Sequence, residues 1–378
     1  MRQNVWLGRV AGIRVGANWS VAVILALVTE ILAVSVLPAE VPHRSAALYW
    51  LVAVVAAVLF LACLLAHELA HAMVARHFGV GVHSITLWML GGLAELEDDP
   101  PSAAADLLIA LAGPGSSLVL GGLFVAAGTV TGHAGGPAVA VAAAGWLAVM
   151  NGMLAVFNLL PGAPLDGGRV LRAILWRRYR DRRRAELAAA RAGRFLGVAV
   201  VMLGLADVIV LGFFDGLWLM LIGWFLIAAA GAEETAARAA SALAGVRVAD
   251  VMTPHPDTAP AWITVGDFID RVAARSRQPA FPVLDVDARL LGLALAGDLA
   301  RVPAAARYEV RVGQVTRDIP PAYLAGPGDP AAPLLRRRPL GGHVAAVVLE
   351  DGRVTGLVTM SGLSQELRWR GLARAGSG

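Results

Sequence analysis

Six long apolar segments constrain this chain more than any other feature of its sequence. The second is typical, because residues 45–66 form an uncharged run long enough to cross a bilayer as a helix. A membrane offers no hydrogen-bond partners to an exposed backbone, so such segments must be helical or enclosed by protein. We predict membrane spans near 18–37, 47–72, 104–131, 137–160, 195–213 and 216–233.

Charge is concentrated in the connections and in the C-terminal part of the chain. The 378 residues are 57% hydrophobic and carry a net charge of +4, and all 32 basic residues are arginine. We interpret this excess as the positive-inside bias of loops in a lipid bilayer and not as a nucleic-acid-binding surface. Nine arginines lie between 172 and 194, whereas the turns on the other side contain only Arg44. This predicts a multi-pass protein of the cell membrane with both termini in the cytoplasm.

The segment between the second and third spans has a different pattern. Residues 80–99 read VGVHSITLWMLGGLAELEDD, which predicts a β-hairpin with Gly91 and Gly92 in its turn. An open hairpin cannot expose unpaired backbone groups to lipid, so it must lie at the interface, inside the bundle or beside another strand. Its edge around residues 82–90 is a candidate for pairing with an extended peptide.

A His-Glu-x-x-His motif lies at the end of the second span, formed by His67, Glu68 and His71. Positions i and i+4 share a helix face, so both imidazoles can bind one metal ion while the Glu68 carboxylate lies beside the open coordination position. An ordinary charged helix face is the alternative. Ionisable groups inside a membrane are costly and usually functional, which favours the metal site.

A catalytic zinc site needs a third protein ligand, and a candidate follows the fourth span. Residues 158–168 read NLLPGAPLDGG, and Asp166 reaches the depth of the histidines if the fourth helix returns to the same side. Taken alone, an aspartate before two glycines is a turn residue. Only the pairing with HELAH favours metal binding by Asp166. Cys63, the single cysteine, is interpreted as a small buried apolar side chain and not as a ligand.

HELAH, together with the pattern N-x-x-P-x-x-x-x-D-G that begins at Asn158, resembles the site-2 protease family of intramembrane metalloproteases. The resemblance implies that His67, His71 and Asp166 hold one zinc ion per subunit and that Glu68 is the general base. For Asn158 it implies a contact with the substrate, and capping of the helix end is the alternative. The implied substrates are transmembrane segments of single-pass proteins, such as anti-sigma factors, cleaved in regulated intramembrane proteolysis.

The sequence after the last span consists of two similar blocks, at 246–303 and 311–370. Each has a Pro-rich opening, a helix candidate, an apolar strand, a turn, a second strand and a final helix, as expected for an internal repeat. The pair resembles a tandem CBS module. The subgroup of site-2 proteases with six spans and C-terminal CBS repeats is therefore the best match.

The CBS resemblance implies an adenine-nucleotide site, from which this sequence departs in both repeats. Such repeats place a Thr or Ser at the end of a strand and an Asp three residues later. The first block keeps Asp298 but has Leu295 at the hydroxyl position, and the second keeps Thr359 but has Gly362 at the acid position. We therefore expect weak or absent adenine-nucleotide binding, and a module that acts through homodimerisation or by docking against the helices.

These features together predict a membrane α-helical bundle of about six transmembrane helices with a β-hairpin in residues 1–235, followed by a soluble α/β tandem CBS module. A CBS-regulated channel or transporter is an alternative, but it leaves HELAH and Asp166 without a shared purpose. A zinc-binding pseudoprotease scaffold is a third reading. Its mark would be the loss of Glu68 or Asp166, and both residues are present.

Overall fold

The structure is a computed structural model of the chain and describes residues 5–88, 91–96, 99–211 and 216–375. The chain divides into two compact units, Met1–Thr235 and Ala236–Gly378. The first unit contains long helices and one sheet, and the second contains short strands and helices arranged around two sheets.

Six helices in the described residues are long and apolar enough to cross a membrane, which confirms the predicted number of spans. Polar side chains define several helix starts, since Ser45 and Ser102 each accept a hydrogen bond from the backbone N–H three residues later. In chain order the helices of this unit are α1 Ser20–Glu40, α2 Ala46–His77, α3 Ala103–His133, α4 Ala138–Asn158, the shorter α5 Asp166–Tyr179, α6 Arg182–Val210 and α7 Gly216–Ala242.

The spanning helices pack through small residues and expose large apolar ones. On α3, a Cβ added at Gly121 would lie 3.3 Å from the carbonyl oxygen of Ala148 on α4, so the glycine allows the two backbones to approach closely. On the outer side of α3, Leu123 and Val130 are 60% and 68% exposed. Large apolar side chains exposed in this way are expected where lipid takes the place of water.

The helix that contains the fifth predicted span begins before that span. We expected residues 195–213, whereas α6 begins at Arg182, where the Asp181 side chain accepts hydrogen bonds from the backbone N–H groups of Arg183 and Arg184. Arginine and alanine favour helix as strongly as many apolar residues do, but hydropathy does not register this preference. Several arginines that the sequence assigned to a connection therefore lie in the first turns of a helix.

The predicted hairpin is present as β3 and β4, and it is paired with another strand in a four-stranded sheet, which is one of the placements that the sequence allowed. The order of this sheet is β1-β2-β3-β4, with β2 parallel to β3 and β3 antiparallel to β4. Ile13, Val82 and Ile85 from this sheet pack against Ala72 and Ala75 of α2 in one buried cluster. The strands are β1 Val5–Val10, β2 Ile13–Ala17, β3 Val82–Trp88 and β4 Gly91–Leu96.

Two details of the predicted hairpin are wrong. The strand at residues 82–88 is paired on both sides, so it offers no free edge, and the edge on this side of the sheet belongs to β4 within the described residues. Gly91 and Gly92 lie in β4, where they pair with Trp88 and Leu87 of β3, and residues 89–90 lie outside the described residues. The local pattern could not show this, since the second partner of β3 is the distant strand β2.

The second unit repeats one pattern in its two sheets, which confirms the predicted internal duplication. In each repeat a short strand pairs in parallel with the first strand of an antiparallel hairpin, and a helix follows the hairpin. The first repeat contains β6 Ala259–Pro260, β7 Ala280–Leu284, β8 Leu290–Leu295 and a helix at Ala296–Arg301. The second contains β9 Leu324–Ala325, β10 Val344–Glu350, β11 Arg353–Thr359 and a helix at Met360–Ala375, with β5 Thr253–Pro254 added to its sheet.

Candidate metal centre

The last turns of α2 place two buried histidines on one face. His67 and His71 are 2% and 6% exposed, and their Nε2 atoms lie 3.2 Å apart. The four-residue spacing produces this arrangement because residues one turn apart project from the same side of a helix. Glu68 is next to them, and its side chain packs so closely on Gly92 of β4 that a Cβ at Gly92 would overlap it.

Asp166 is the first residue of α5, and its carboxylate meets the histidines. Its Oδ2 atom lies 3.2 Å from Nε2 of His67 and 3.2 Å from Nε2 of His71. The chain turns tightly before α5, and Gly167 and Gly168 are required there because a Cβ on either would overlap the backbone of that turn. The turn and the two glycines thus position the carboxylate against α2.

The three ligand atoms have the spacing that a tetrahedral metal ion requires. Each of the three atom pairs is separated by 3.2 Å. Metal–ligand bonds of about 2.0–2.1 Å in a tetrahedron place the ligand atoms about 3.3 Å apart. His67, His71 and Asp166, which come from two separate helices, can therefore hold one metal ion.

Helix α3 orients both imidazoles through their other nitrogens. Nδ1 of His71 lies 2.6 Å from the carbonyl oxygen of Ile109, and Nδ1 of His67 lies 2.9 Å from Oγ of Ser117. A carbonyl only accepts, so Nδ1 of His71 carries the proton and Nε2 presents its lone pair. Contacts of this kind fix the tautomer and the ring orientation that a metal ligand needs.

Neither partner on α3 was predicted from the sequence. Ile109 acts through its backbone, which no side-chain pattern reveals. Ser117 belongs to the run GPGSS within an otherwise apolar span, and a hydroxyl in such a span could have been recognised as a candidate functional group. Gly113 in the same run is equally specific, because a Cβ at this position would lie 2.5 Å from Nε2 of His67 and would overlap His71.

The groups that meet at this point are one carboxylate and two imidazoles, with ligand atoms 3.2 Å apart. A carboxylate and two neutral imidazoles are a donor set of the kind found in catalytic zinc sites. The chemistry of the donors and their spacing therefore both fit zinc.

The two other residues that the sequence singled out lie outside the cluster. Asn158 is the last residue of α4, half-buried and eight positions before Asp166. Cys63 is buried on α2, one turn before His67, and is not among the described residues that converge on the metal position. The structure thus brings His67, His71 and Asp166 together, with Glu68 next to His67 on α2.

In the second unit, both motif residues are occupied by partners from the chain itself. Asp298 accepts hydrogen bonds from Nε and Nη2 of Arg317, at 2.5 and 2.7 Å, and from Nη1 of Arg301 at 2.9 Å. The bonds with Arg317 lower the pKa of Asp298. Oγ1 of Thr359 accepts a hydrogen bond from the backbone N–H of Gly362 at 3.1 Å. A nucleotide would have to compete with Arg317 and Arg301 for the Asp298 carboxylate.

A His-Glu-x-x-His helix and a carboxylate from a second helix, set among membrane spans, define the class of membrane metalloproteases. Residues 55–139 and 133–203 match the model of peptidase family M50. Rip3 of Mycobacterium tuberculosis, whose name describes it as a zinc metalloprotease, is 45% identical over 366 residues, covering 97% of this chain and 93% of Rip3. The chain belongs to peptidase family M50, the site-2 proteases.

Two solved structures are similar to parts of the chain. A site-2 protease from Methanocaldococcus jannaschii is 26% identical, with a TM-score of 0.42, and the match covers 61% of this chain and 94% of that one. The CBS domain of the bacterial CNNM/CorC family Mg²⁺ transporter, solved in complex with ATP, is 26% identical, with a TM-score of 0.30, over 36% of this chain and 96% of that one.

Proposed function

We propose that this chain is a zinc-dependent intramembrane endopeptidase that cleaves transmembrane segments of other membrane proteins. The observation that carries the proposal is the convergence of His67, His71 and Asp166, with ligand atoms 3.2 Å apart, among helices long and apolar enough to span a bilayer. Burying three such groups in a membrane protein is energetically costly, and groups of this kind usually serve a function. The channel alternative gives them none.

In this proposal His67, His71 and Asp166 hold the zinc ion and Glu68 is the general base. When bound, zinc supplies a Lewis acid that polarises the peptide carbonyl and makes a bound water more acidic. Glu68 accepts a proton from the attacking water and passes it to the nitrogen of the leaving amine. Gly92 supports this role because its lack of a side chain lets the Glu68 carboxylate lie against β4.

The position of β4 supports a proposal for how the substrate binds. A transmembrane helix must unwind before hydrolysis, because its amides are bonded within the helix. An unwound segment can pair with the edge of β4 by strand addition, which brings an extended backbone next to Glu68. Asn158 is proposed to contact the same segment. The resemblance to site-2 proteases favours single-pass proteins such as anti-sigma factors, cleaved in regulated intramembrane proteolysis.

Reconstitution in liposomes with single-pass proteins from the same membrane tests the proposal. We expect cleavage within the apolar segment of a substrate, mapped by mass spectrometry. Cleavage should stop when a chelator removes zinc and resume when zinc is added back, because the chelator leaves the fold of the bundle intact. Cuts that fall only outside apolar segments, or that persist without metal, would contradict the proposal.

We also propose that the termini and residues 172–194 face the cytoplasm. A reporter enzyme fused after Arg184 should be active only on the cytoplasmic side, because the arginines of α5 and the start of α6 resist translocation. The measurement is reporter activity in intact cells, with a fusion in the turn after α3, at Gly135, as the opposite-side control. A signal from Arg184 on the outer side alone would overturn the orientation.

The C-terminal repeats are proposed to regulate access to the site by homodimerisation or by docking against the helices, without tight nucleotide binding. Calorimetry of the full-length protein in detergent should show no saturable heat with ATP, because Arg317 and Arg301 already neutralise Asp298. The variant Arg317→Ala, which removes two of the three hydrogen bonds to Asp298, is the matched comparison. Tight ATP binding by the wild type that is lost in Asp298→Ala would make the protein a nucleotide-responsive enzyme.

A further inference from the structure

A buried ion pair links α3 to α5. Asp106 of α3 is fully buried, and its two carboxylate oxygens accept hydrogen bonds from Nε and Nη2 of Arg172 on α5, at 2.8 and 2.7 Å. Arg169 approaches the same carboxylate, with Nη2 at 3.9 Å. Two parallel bonds between a guanidinium and a carboxylate fix both the distance and the orientation of the groups. The pair therefore holds the two helices in one relative position.

Asp106, the α3 member of this pair, lies on the helix face that orients the imidazoles. Asp106 lies one turn before Ile109, whose carbonyl oxygen contacts Nδ1 of His71. Gly113, where a Cβ would overlap both histidine rings, and Ser117, whose Oγ contacts Nδ1 of His67, follow on the same face. Spacings of three and four residues place all four positions in one row along a helix.

Arg172, the α5 member of the pair, lies on the helix whose first residue is the third candidate ligand, Asp166. Arg172 lies six positions after Asp166 on this short helix. A shift of α5 along or away from α3 would therefore move the Asp166 carboxylate relative to both imidazoles. No side chain of the ion pair belongs to the metal cluster itself.

We propose that Asp106 and Arg172 are positioning residues that set the separation between Asp166 and the two histidines, and thereby the affinity of the site for zinc. The inference rests on the proposed metal centre. Zinc–ligand bonds are short and directional, so a small displacement of one ligand lowers affinity. Loss of a partner that orients metal ligands typically costs about 10–100-fold in metal affinity.

The test is the zinc affinity of Asp106→Asn, measured on the full-length protein in detergent by competition with a chromogenic chelator. We expect a loss of about 10–100-fold. The matched control is Glu234→Gln, because Glu234 is also a buried carboxylate that faces two arginines, Arg191 and Arg194 at 3.9 and 3.8 Å, but it pairs α7 with α6. This control should lower thermal stability without changing zinc affinity.

Thermal unfolding of the zinc-free proteins separates positioning from general stability. If Asp106→Asn and Glu234→Gln lower the midpoint similarly but only the first loses zinc affinity, the pair acts on the metal site. The double variant Asp106→Asn with Arg172→Gln should lose no more zinc affinity than the single variant that binds zinc more weakly, because both substitutions break the same ion pair. If Asp106→Asn does not fold, Arg172→Lys gives the same test, since it keeps the charge and removes the paired bonds.

Wild-type zinc affinity in Asp106→Asn or Arg172→Lys, or equal losses in Glu234→Gln, would overturn the inference. Because the readout is zinc affinity, the proposed function is judged separately. A wild-type protein that binds zinc but cleaves no transmembrane segment would refute the proposed protease activity, while the variants would still decide the role of the ion pair.

Discussion

Glu68→Gln is expected to lower the rate of substrate cleavage by about 10²–10⁴-fold, the range that general acid–base groups supply. Glutamine has nearly the same size as glutamate, so it fits beside Gly92, but its amide cannot accept a proton from water. Bound zinc should stay at the wild-type level, because Glu68 is not among the residues that converge on the metal position. The measurements are cleavage rate in liposomes and zinc content by elemental analysis.

The control for this prediction is Glu40→Gln, which changes an exposed carboxylate at the end of α1. It should leave both cleavage and zinc content unchanged. Appreciable turnover by Glu68→Gln would show that another group accepts the proton. Loss of zinc in this variant would show that Glu68 is a ligand.

Asp166→Ala is expected to have the opposite signature, with loss of the metal itself. The substitution leaves two protein ligands, and three are needed for a catalytic zinc site. Removing an outer partner of a ligand already costs about 10–100-fold in metal affinity, so we expect removal of a ligand to cost more than about 100-fold. The measurement is zinc affinity by chelator competition, followed by cleavage at saturating zinc.

Asp181→Ala is the control, because Asp181 is also an aspartate at the start of a helix but does not belong to the metal cluster. It should weaken the helix start and leave zinc affinity at the wild-type level. If Asp166→Ala retained wild-type affinity, the carboxylate would be a turn residue, which is the alternative that its sequence context allows.

The sequence predicted the parts of this site that depend on local periodicity. His67 and His71 are four positions apart on a helix, so their shared face follows from helical geometry. Asp166 was predictable only through its pairing with HELAH and through the number of spans between them. Because both depend on regular spacing and topology, the structure places the three residues as the sequence analysis expected.

The supporting contacts were not predictable in the same way. The Ile109 carbonyl and the Asp106–Arg172 pair depend on how α3 packs against α2 and α5, which is a property of the tertiary structure. Arg172 was interpreted as a loop charge that sets membrane orientation. An arginine that orients the protein in the bilayer and one that pairs with a buried carboxylate have the same appearance in a sequence.

The sheet shows the same division between local and long-range information. The alternation in residues 82–88 predicted β3, but its parallel pairing with β2 joins residues far apart in the chain, and nothing local reveals such a partner. The roles of Gly91 and Gly92 were misread for a related reason. A glycine pair most often marks a turn. Here Gly92 is needed because the Glu68 side chain occupies the space that a Cβ would fill.

X-ray absorption at the zinc edge of the full-length protein tests the central claim most directly. If His67, His71 and Asp166 form one metal centre, the spectrum should show two imidazole nitrogens and only light-atom ligands, at about 2.0–2.2 Å. The spectrum should be retained in Glu68→Gln. A sulfur ligand at about 2.3 Å, which would implicate Cys63, or a spectrum with fewer than two imidazoles would contradict the account.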